Sequence, residues 1–520
     1  MAIELNKEFQ QVLDLMNQTT ENLFITGRAG TGKSTLLNYF RSHTAKQVVV
    51  LAPTGVAALN VAGQTIHSFF GFKPDITLQK VKKLSPDKTK IYKKLEAVII
   101  DEISMVRADL LDCVDKFLRL NGAKAQLPFG GCQMVFIGDV YQLPPVVSGA
   151  EGRALAATYT SPYFFASKVC ENFSPRLIEL EKVYRQKDRQ FIDLLNAVRN
   201  NSATEADLQA LNSRCQPDFE PPPDKFFITI TTTNDQAAQI NRERLAKLAG
   251  KTFSWRGQVQ GRFDQKSLPT EVDLNLKVGA QVMFLNNDSK GRWVNGSVGQ
   301  IVNIKPDPDS GGSAVLVKIF GGGLEKILPH TWDMFNFRFN ERKKMLESEV
   351  VGSFTQYPLR LAWAITIHKS QGKTFDQVII DIGRGTFAHG QMYVALSRCS
   401  SFAGLTLKKP IRKNHIFMDW RVVRFMTNYQ YRLAEQKLSL EDKIKLIEQV
   451  MARQANLDIT YLKANDVKSS RVIRPERLGQ FEYLGKSFQG VSGFCFSRQE
   501  ERVFRLDRIL EIKEAVKTQT

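Results

Sequence analysis

The run Gly27-Arg28-Ala29-Gly30-Thr31-Gly32-Lys33-Ser34 constrains this chain more than any other. It matches GxxxxGK[ST] without a gap. The strand-like run Leu23–Thr26 enters it, and a helical stretch, Thr35–Phe40, leaves it. Glycines in such a turn let backbone N–H groups curl around phosphates, and the helix N-terminus adds partial positive charge. Gly27, Gly30, Thr31, Gly32 and Thr35 are therefore expected to cradle a nucleoside triphosphate. Lys33 should neutralise its β- and γ-phosphates, and the Ser34 hydroxyl should ligate Mg²⁺.

A second signal strengthens the first. Val98-Ile99-Ile100-Asp101-Glu102 reads as a buried strand ending in two carboxylates. Asp101 is placed to hold the metal through water, and Glu102 to orient and deprotonate an attacking water. Alone the pair would be weak; after a phosphate loop at this distance it predicts triphosphate hydrolysis. A third strand runs into Gly138-Asp139-Val140-Tyr141-Gln142, where Gln142 would lie beside the γ-phosphate and report its presence. A polar residue in a surface loop is an equally good local reading of Gln142.

The organisation supports an α/β class. Apolar runs at Leu23–Thr26, Val48–Leu51, Val98–Ile100 and Met134–Ile137 alternate with helical stretches, the pattern of a parallel sheet covered on both faces. A Lys-rich insert at Phe72–Lys94, broken by Pro74 and Pro86, reads as a small protruding element. After Pro221-Pro222-Pro223 a second α/β unit follows, with a strand at Phe226–Thr232, a helix at Ala237–Leu248 and a strand at Val378–Ile382. Val298–Ile304 and Ala314–Phe320 flank a Pro/Asp/Gly turn, a hairpin signal inside a small β insertion expected near 285–355. The formal charge of +19 over 520 residues attracts polyanions, though charge alone is also consistent with mere solubility. Six scattered cysteines without a CxxC pair argue against a disulfide framework and a zinc site. No apolar run approaches the ~18 residues of a spanning helix, and the N-terminus lacks a secretory pattern. A cytoplasmic, multidomain protein with no membrane partner is expected.

In their order along the chain, these blocks resemble those of a superfamily 1 helicase, and specifically the Pif-one (petite integration frequency) family, bacterial type. GRAGTGKS at 27–34, APTGVAA at 52–58, TIHSFF at 65–70 and VIIDEISMV at 98–106 come first. FIGDVYQLPPV at 136–146, Tyr184-Arg185-Gln186, RLAWAITIHKSQGKTF at 360–375 and QMYVALSR at 391–398 follow. FIDLLNAVR at 191–199 is similar to that family's signature helix, which favours it over the RecD-like helicases.

The resemblance implies two RecA-like lobes, 1–180 and 181–284 with 356–425, the second interrupted by an SH3-like β insertion. It implies ATP and Mg²⁺, with Arg185 and Arg398 as arginine fingers, Gly372 at the nucleotide, and Gln10 as the residue that reads adenine. It places Pro53, Thr54, His67, Phe69 and Phe70, together with His368, Lys369 and Ser370, on the path of single-stranded DNA. Aromatic faces there would stack on bases; simple core packing competes for Phe69 and Phe70. The implied activity is 5′→3′ translocation with unwinding, by a monomer, on single strands and single/double-strand junctions. G-quadruplexes and RNA–DNA hybrids are further candidate substrates.

After Asp419 the character changes. Ser439 is placed to cap a helix with Asp442 at its third position, and Ile444, Ile447, Val450 and Met451 give it an apolar face. Residues 421–520 hold 19 Lys and Arg against 13 Asp and Glu. Residues 436–520 resemble a WYL domain preceded by a helix, although Gln489-Gly490-Val491 stands near where the name-giving triplet would fall. Alternation along a strand through Arg508 sets Arg502, Phe504, Leu506 and Arg508 on one face. Arg471, Arg474, Arg505 and Arg508 would then offer a basic surface for single-stranded DNA or a charged small ligand. A structural cap with arginines paired to Glu500, Glu501 and Asp507 is the competing view. The rival to a helicase as a whole is a DNA-stimulated regulatory ATPase that binds single strands without unwinding.

Overall fold

The computed structural model describes residues 6–515 except 148, 187, 223–224, 262, 264–267, 309–311, 341–344, 464–467 and 484. Residues up to Val198 with Ala203–Phe417 form one compact unit; Arg199–Ser202 with the chain from Met418 onward form a second. The turn expected at 306–312 and the triple proline at 221–223 lie partly outside the described residues.

Apolar runs buried on both faces make the first lobe a six-stranded sheet. Its order is Gln64–Thr65, Val48–Ala52, Ala97–Ile100, Gln133–Ile137, Leu23–Gly27, Arg176–Leu180, and every pairing is parallel. Leu23–Gly27, Ala97–Ile100 and Gln133–Ile137 are buried throughout. Because these strands are parallel and adjacent, the phosphate loop, Asp101–Glu102 and Gly138–Gln142 all leave from one sheet edge, where open α/β sheets bind ligands.

The second lobe is a four-stranded parallel sheet ordered Ala364–Thr366, Ile228–Thr231, Val378–Asp381, Leu405–Leu407. Helix Arg189–Arg199 sends Phe191, Leu194 and Leu195 into its core beside Ile230 and Ile380. Helix Asn234–Lys247 starts at Thr233, whose hydroxyl accepts the Gln236 N–H.

Between that helix and Ala364–Thr366 the chain is antiparallel. Val298–Asp307 and Gly312–Ile319 pair as the hairpin signal implied, inside a five-stranded sheet. Strands already begin at Phe253–Arg256 and continue to Leu359–Leu361, so the β insertion extends beyond the expected 285–355 on both sides. The early strands alternate buried and exposed residues only briefly, a weak signal for a small sheet.

The Phe72–Lys94 insert is less protruding than its lysines suggested. Its helix, Pro86–Lys94, buries Thr89 and Tyr92, and Val81 is also buried.

In the second unit, helix Trp420–Lys437 packs against the strand Ile509–Glu514 and the 3₁₀ turn Leu506–Arg508. The unit therefore begins ahead of residue 425, where the second lobe was expected to end. Ser439 caps helix Leu440–Ala452 by accepting the Asp442 N–H, and Ile447 and Val450 are buried. A five-stranded antiparallel sheet follows, ordered Glu500–Arg505, Lys486–Cys495, Lys468–Tyr483, Leu457–Leu462, Ile509–Glu514. The strand expected through Arg508 stops at Arg505. Phe504 and Leu506 both go to the core, and the backbone must turn at Leu506–Arg508 to bring Ile509 in as well. No helix among the described residues is long and apolar enough to cross a membrane.

Candidate nucleotide cleft and strand groove

The phosphate loop owes its shape to glycines that no other residue could replace. Gly30 and Gly32 sit at φ 83° and 84°, a left-handed conformation costly for a side chain. A Cβ on Gly30 would stand 2.4 Å from the Arg185 Cβ, and one on Gly32 would stand 2.8 Å from the Phe9 ring. Lys33 opens helix Lys33–His43, and its ammonium donates to the carbonyls of Gly27 (2.7 Å) and Arg28 (3.0 Å). Thr31 is buried and donates to the Arg28 carbonyl.

A cavity of about 340 Å³ opens at this loop. Gly30, Gly32, Lys33, Ser34 and Thr35 line it from the first lobe, with Glu102 and Gln142. Arg185, Gly372 and Arg398 line it as well, so the chain brings together most of the residues expected at a nucleotide. Glu102 adopts φ 50°, an uncommon backbone state for a residue with a side chain. Burial raises the Asp101 and Glu102 carboxyls; for Glu102 the neighbouring Asp101 adds to the rise, while Lys33 and Arg398 oppose it. Asp101 is buried behind this rim.

Arg398 is 1% exposed; Glu102 and Asp139 are near enough to act on it, although it forms no ion pair with either among the described residues. Its guanidinium donates to the Val394 carbonyl (2.8 Å), the Ser397 hydroxyl (2.8 Å) and the carbonyls of Ser370 and Lys373. Burial, and then Arg185, lower its pKa to about 9. Arg185 donates to the Ser397 carbonyl at 3.2 Å, and burial lowers its pKa too. Two cations held close together at a cleft repel each other, a cost that anionic charge arriving there would relieve.

Three side chains that sequence reasoning did not single out connect the lobes. Gln371 donates to the Glu102 carboxylate at 2.8 Å. The Ala29 N–H in the phosphate loop donates to the Tyr393 hydroxyl at 2.8 Å. Asn295 of the β insertion accepts from the Lys373 ammonium at 2.5 Å and donates to Asn60 of the first lobe at 2.9 Å. Gln371 and Tyr393 sit inside recognised blocks, so position was the available signal; Asn295 carried none.

Gln10 does not join the cleft. It is exposed and donates to Asp14 at 2.8 Å, while its neighbour Phe9 is the residue that packs on Gly32. Helix Lys7–Gln18 buries Phe9, Val12, Leu13 and Met16, and this periodicity turns Gln10 outward.

A larger groove of about 910 Å³ contains Pro53, Thr54 and His67, with Arg107, Phe263 and Met334 on its walls. Burial, followed by Arg107, lowers the pKa of His67. Thr54 and Thr65 cap the short helices Gly55–Asn60 and Ile66–Phe70. Phe69 and Phe70, at 3% and 4% exposure, correct the expectation of base stacking. They pack edge-on and stacked against Phe72, Tyr92 and Phe117, so their faces are already covered. Ser370 is likewise corrected: it is buried, and its hydroxyl donates to the Ile367 carbonyl at 2.7 Å. Lys369 is exposed and His368 half-buried; neither lines this groove.

In the second unit the expected single basic surface is divided. Arg474 pairs with Glu476 (3.5 Å) and Arg505 with Asp507 (2.7 Å), while Arg502 pairs with Glu500. The Arg471 guanidinium donates to the Ser470 carbonyl. Arg508 leaves the strand face altogether and lines a cavity beside helix Trp420–Lys437.

Residues 3–209 match the family model described as PIF1-like helicase, and residues 442–514 match that of the WYL domain. The ATP-dependent DNA helicase Pif1 of Bdellovibrio bacteriovorus is 32% identical over 440 residues, covering 82% of this chain and 93% of its own length. The crystal structure of Bacteroides sp Pif1 in complex with ADP-AlF4 superposes with a TM-score of 0.75 at 35% identity, covering 83% of this chain and 98% of that one. Bacteroides Pif1 bound to ssDNA gives 0.60 at 35% identity, over 82% and 96%. The lobes, the order of the blocks and these likenesses agree: the chain belongs to the PIF1-like helicase family and carries a C-terminal WYL domain.

Proposed function

We propose that this chain is an ATP-dependent DNA helicase that moves 5′→3′ along single-stranded DNA and separates duplexes. The observation that carries the reading is the cleft between its lobes. A phosphate loop on one side faces two arginines on the other, Arg398 buried and Arg185 partly buried, and Gln371 reaches across to Glu102. In this reading the loop N–H groups and Lys33 hold the triphosphate. The Ser34 hydroxyl and Asp101 carboxylate have the oxygen chemistry Mg²⁺ prefers, and the ion when bound supplies charge neutralisation at the phosphates. Glu102, its basicity raised by burial, takes the proton of the attacking water. Arg185 and Arg398 stabilise charge that develops on the transferred phosphoryl group.

Lobe closure follows from the same residues. Arg398 bonds the carbonyls of Ser370 and Lys373, in the segment that carries Lys369 and His368. Nucleotide-driven movement of Arg398 is thus transmitted to that segment, and from there to the strand. Single-stranded DNA is the substrate in the reading, with the groove of Pro53, Thr54 and His67 as one part of its path. Opening a base pair costs about 1–2 kcal/mol, modest beside one triphosphate hydrolysis.

The test is ATP- and Mg²⁺-dependent unwinding of two matched duplexes, one with a 5′ and one with a 3′ single-stranded tail. Separation of only the 5′-tailed duplex is expected. Opening of only the 3′-tailed duplex would reverse the polarity. DNA-stimulated hydrolysis without opening of either would favour the regulatory ATPase.

A further inference from the structure

Helix Trp420–Lys437 carries two faces of different character. Val422, Met426 and Tyr429 turn inward, as the helical period requires. On another face Trp420, Arg424, Asn428 and Tyr431 follow one another at spacings of three and four, so they form a single stripe. That stripe lines a cavity of about 490 Å³, together with Arg508 from the 3₁₀ turn and Asn200 from Arg199–Ser202, a segment of the same compact unit. The volume is that of a small-ligand site.

Its chemistry is selective. No carboxylate is among the lining residues, although two are guanidinium groups. The neighbouring acids are already engaged: Asp419 with Arg421 and Asp507 with Arg505. The Arg424 side chain makes no hydrogen bond or ion pair among the described residues, and Arg508 faces the phenols of Tyr431 and Tyr461, on which Asp507 acts as well. Trp420 is 65% exposed at the mouth, an indole at a site that packing does not require. An open indole face suits a nucleobase, guanidinium groups suit phosphate, and Asn side chains present the paired donors and acceptors of a base edge.

We propose that this cavity binds one nucleotide unit, its base against Trp420 and its phosphate between Arg424 and Arg508. The site shares no lining residue with the phosphate-loop cavity and does not depend on the helicase reading. Its ligand is either a free mononucleotide or one nucleotide of a DNA strand, which share this chemistry.

The test uses the full chain and its tryptophan fluorescence, titrated with deoxyadenosine monophosphate and, separately, with a single-stranded oligothymidylate. Five tryptophans contribute, so Trp420→Phe isolates the signal of interest. A saturable quench that disappears in Trp420→Phe and weakens at least about tenfold in Arg424→Ala is expected. ATP hydrolysis without DNA should stay unchanged in both variants, which separates this site from the cleft. Quenching by the mononucleotide assigns a free ligand, and quenching by the oligonucleotide alone assigns a strand. A quench retained in Trp420→Phe, one indifferent to Arg424→Ala, or no quench by either probe overturns the proposal. Arg424 and Trp420 are both exposed, so neither substitution should unfold the helix.

Discussion

The nucleotide cleft and the β face of the second unit both gather arginines, yet they treat them in opposite ways. In the cleft, Arg398 is buried and Arg185 partly buried beside it, both bonded to carbonyls or a hydroxyl rather than ion-paired, and both held below their ordinary pKa chiefly by desolvation. On the β face, Arg474, Arg502 and Arg505 each lie within two residues of a carboxylate and pair with it. Cations drawn out of water without an ion-paired acid store an unfavourable charge that a bound anion relieves. Surface pairs of near neighbours store almost nothing and are screened by salt. Positive charge alone thus says little about function; whether that charge is already ion-paired says much more.

The largest effect should come from the cleft. Lys33→Ala or Arg398→Ala is expected to lower kcat for DNA-stimulated hydrolysis by roughly 10²-fold or more, as loss of a transition-state donor does. Arg185→Ala should keep nucleotide binding while hydrolysing poorly. Steady-state hydrolysis beside nucleotide titration checks all three, and wild-type turnover would remove the residue concerned from the chemistry.

Gln371→Ala sharpens the comparison by cutting the link between the lobes at Glu102 while leaving every charge in place. About a tenfold loss of DNA stimulation is expected, with smaller change in hydrolysis without DNA. Equal losses in both would make Gln371 a local support for Glu102 rather than a coupling element.

Lys373 tests the charge argument through stability. Burial, with Arg360 adding to it, lowers its pKa to about 8. Between that value and the ordinary lysine range the unfolded chain holds a proton that the folded chain has lost, so this group makes stability rise with pH across the window. Below about pH 8 the penalty is fully present. Lys373→Met should therefore raise the melting temperature near neutral pH and flatten the rise, an effect on the order of a few kcal/mol at most. A lower melting temperature would mean that the Asn295 bond outweighs the burial of charge.

The smallest effect belongs to the β face. Arg474→Ala and Arg505→Ala should each change affinity for single-stranded DNA by less than about twofold, since local pairing already satisfies them. A steep fall, with a shallower salt dependence, would restore this face as a DNA surface.

Residue order alone carried the catalytic reading a long way. A strand, a glycine turn and a helix in succession leave few alternatives for residues 23–43, because φ > 0 at Gly30 and Gly32 is tolerated by little else. Local capping was equally legible at Ser439, where one hydroxyl and one N–H three residues later suffice. What failed were statements about which way a side chain faces. Phe69, Phe70 and Ser370 sit in the expected blocks but turn inward, since Phe117, Tyr92 and the Ile367 carbonyl are brought to them by distant or newly turned backbone. Gln10 and Phe9 differ by one position, and only packing on Gly32 decides which of them meets the loop.

The nucleotide chemistry was thus written in short-range order, where backbone stereochemistry and spacing act over a few residues. The pairing of Glu102 with Gln371, the tie from Asn60 through Asn295 to Lys373, and the cavity that takes Arg508 off its strand were not. Those depend on segments far apart in the chain meeting with defined orientation. Burial and the resulting choice of partner exist only once the tertiary structure has formed.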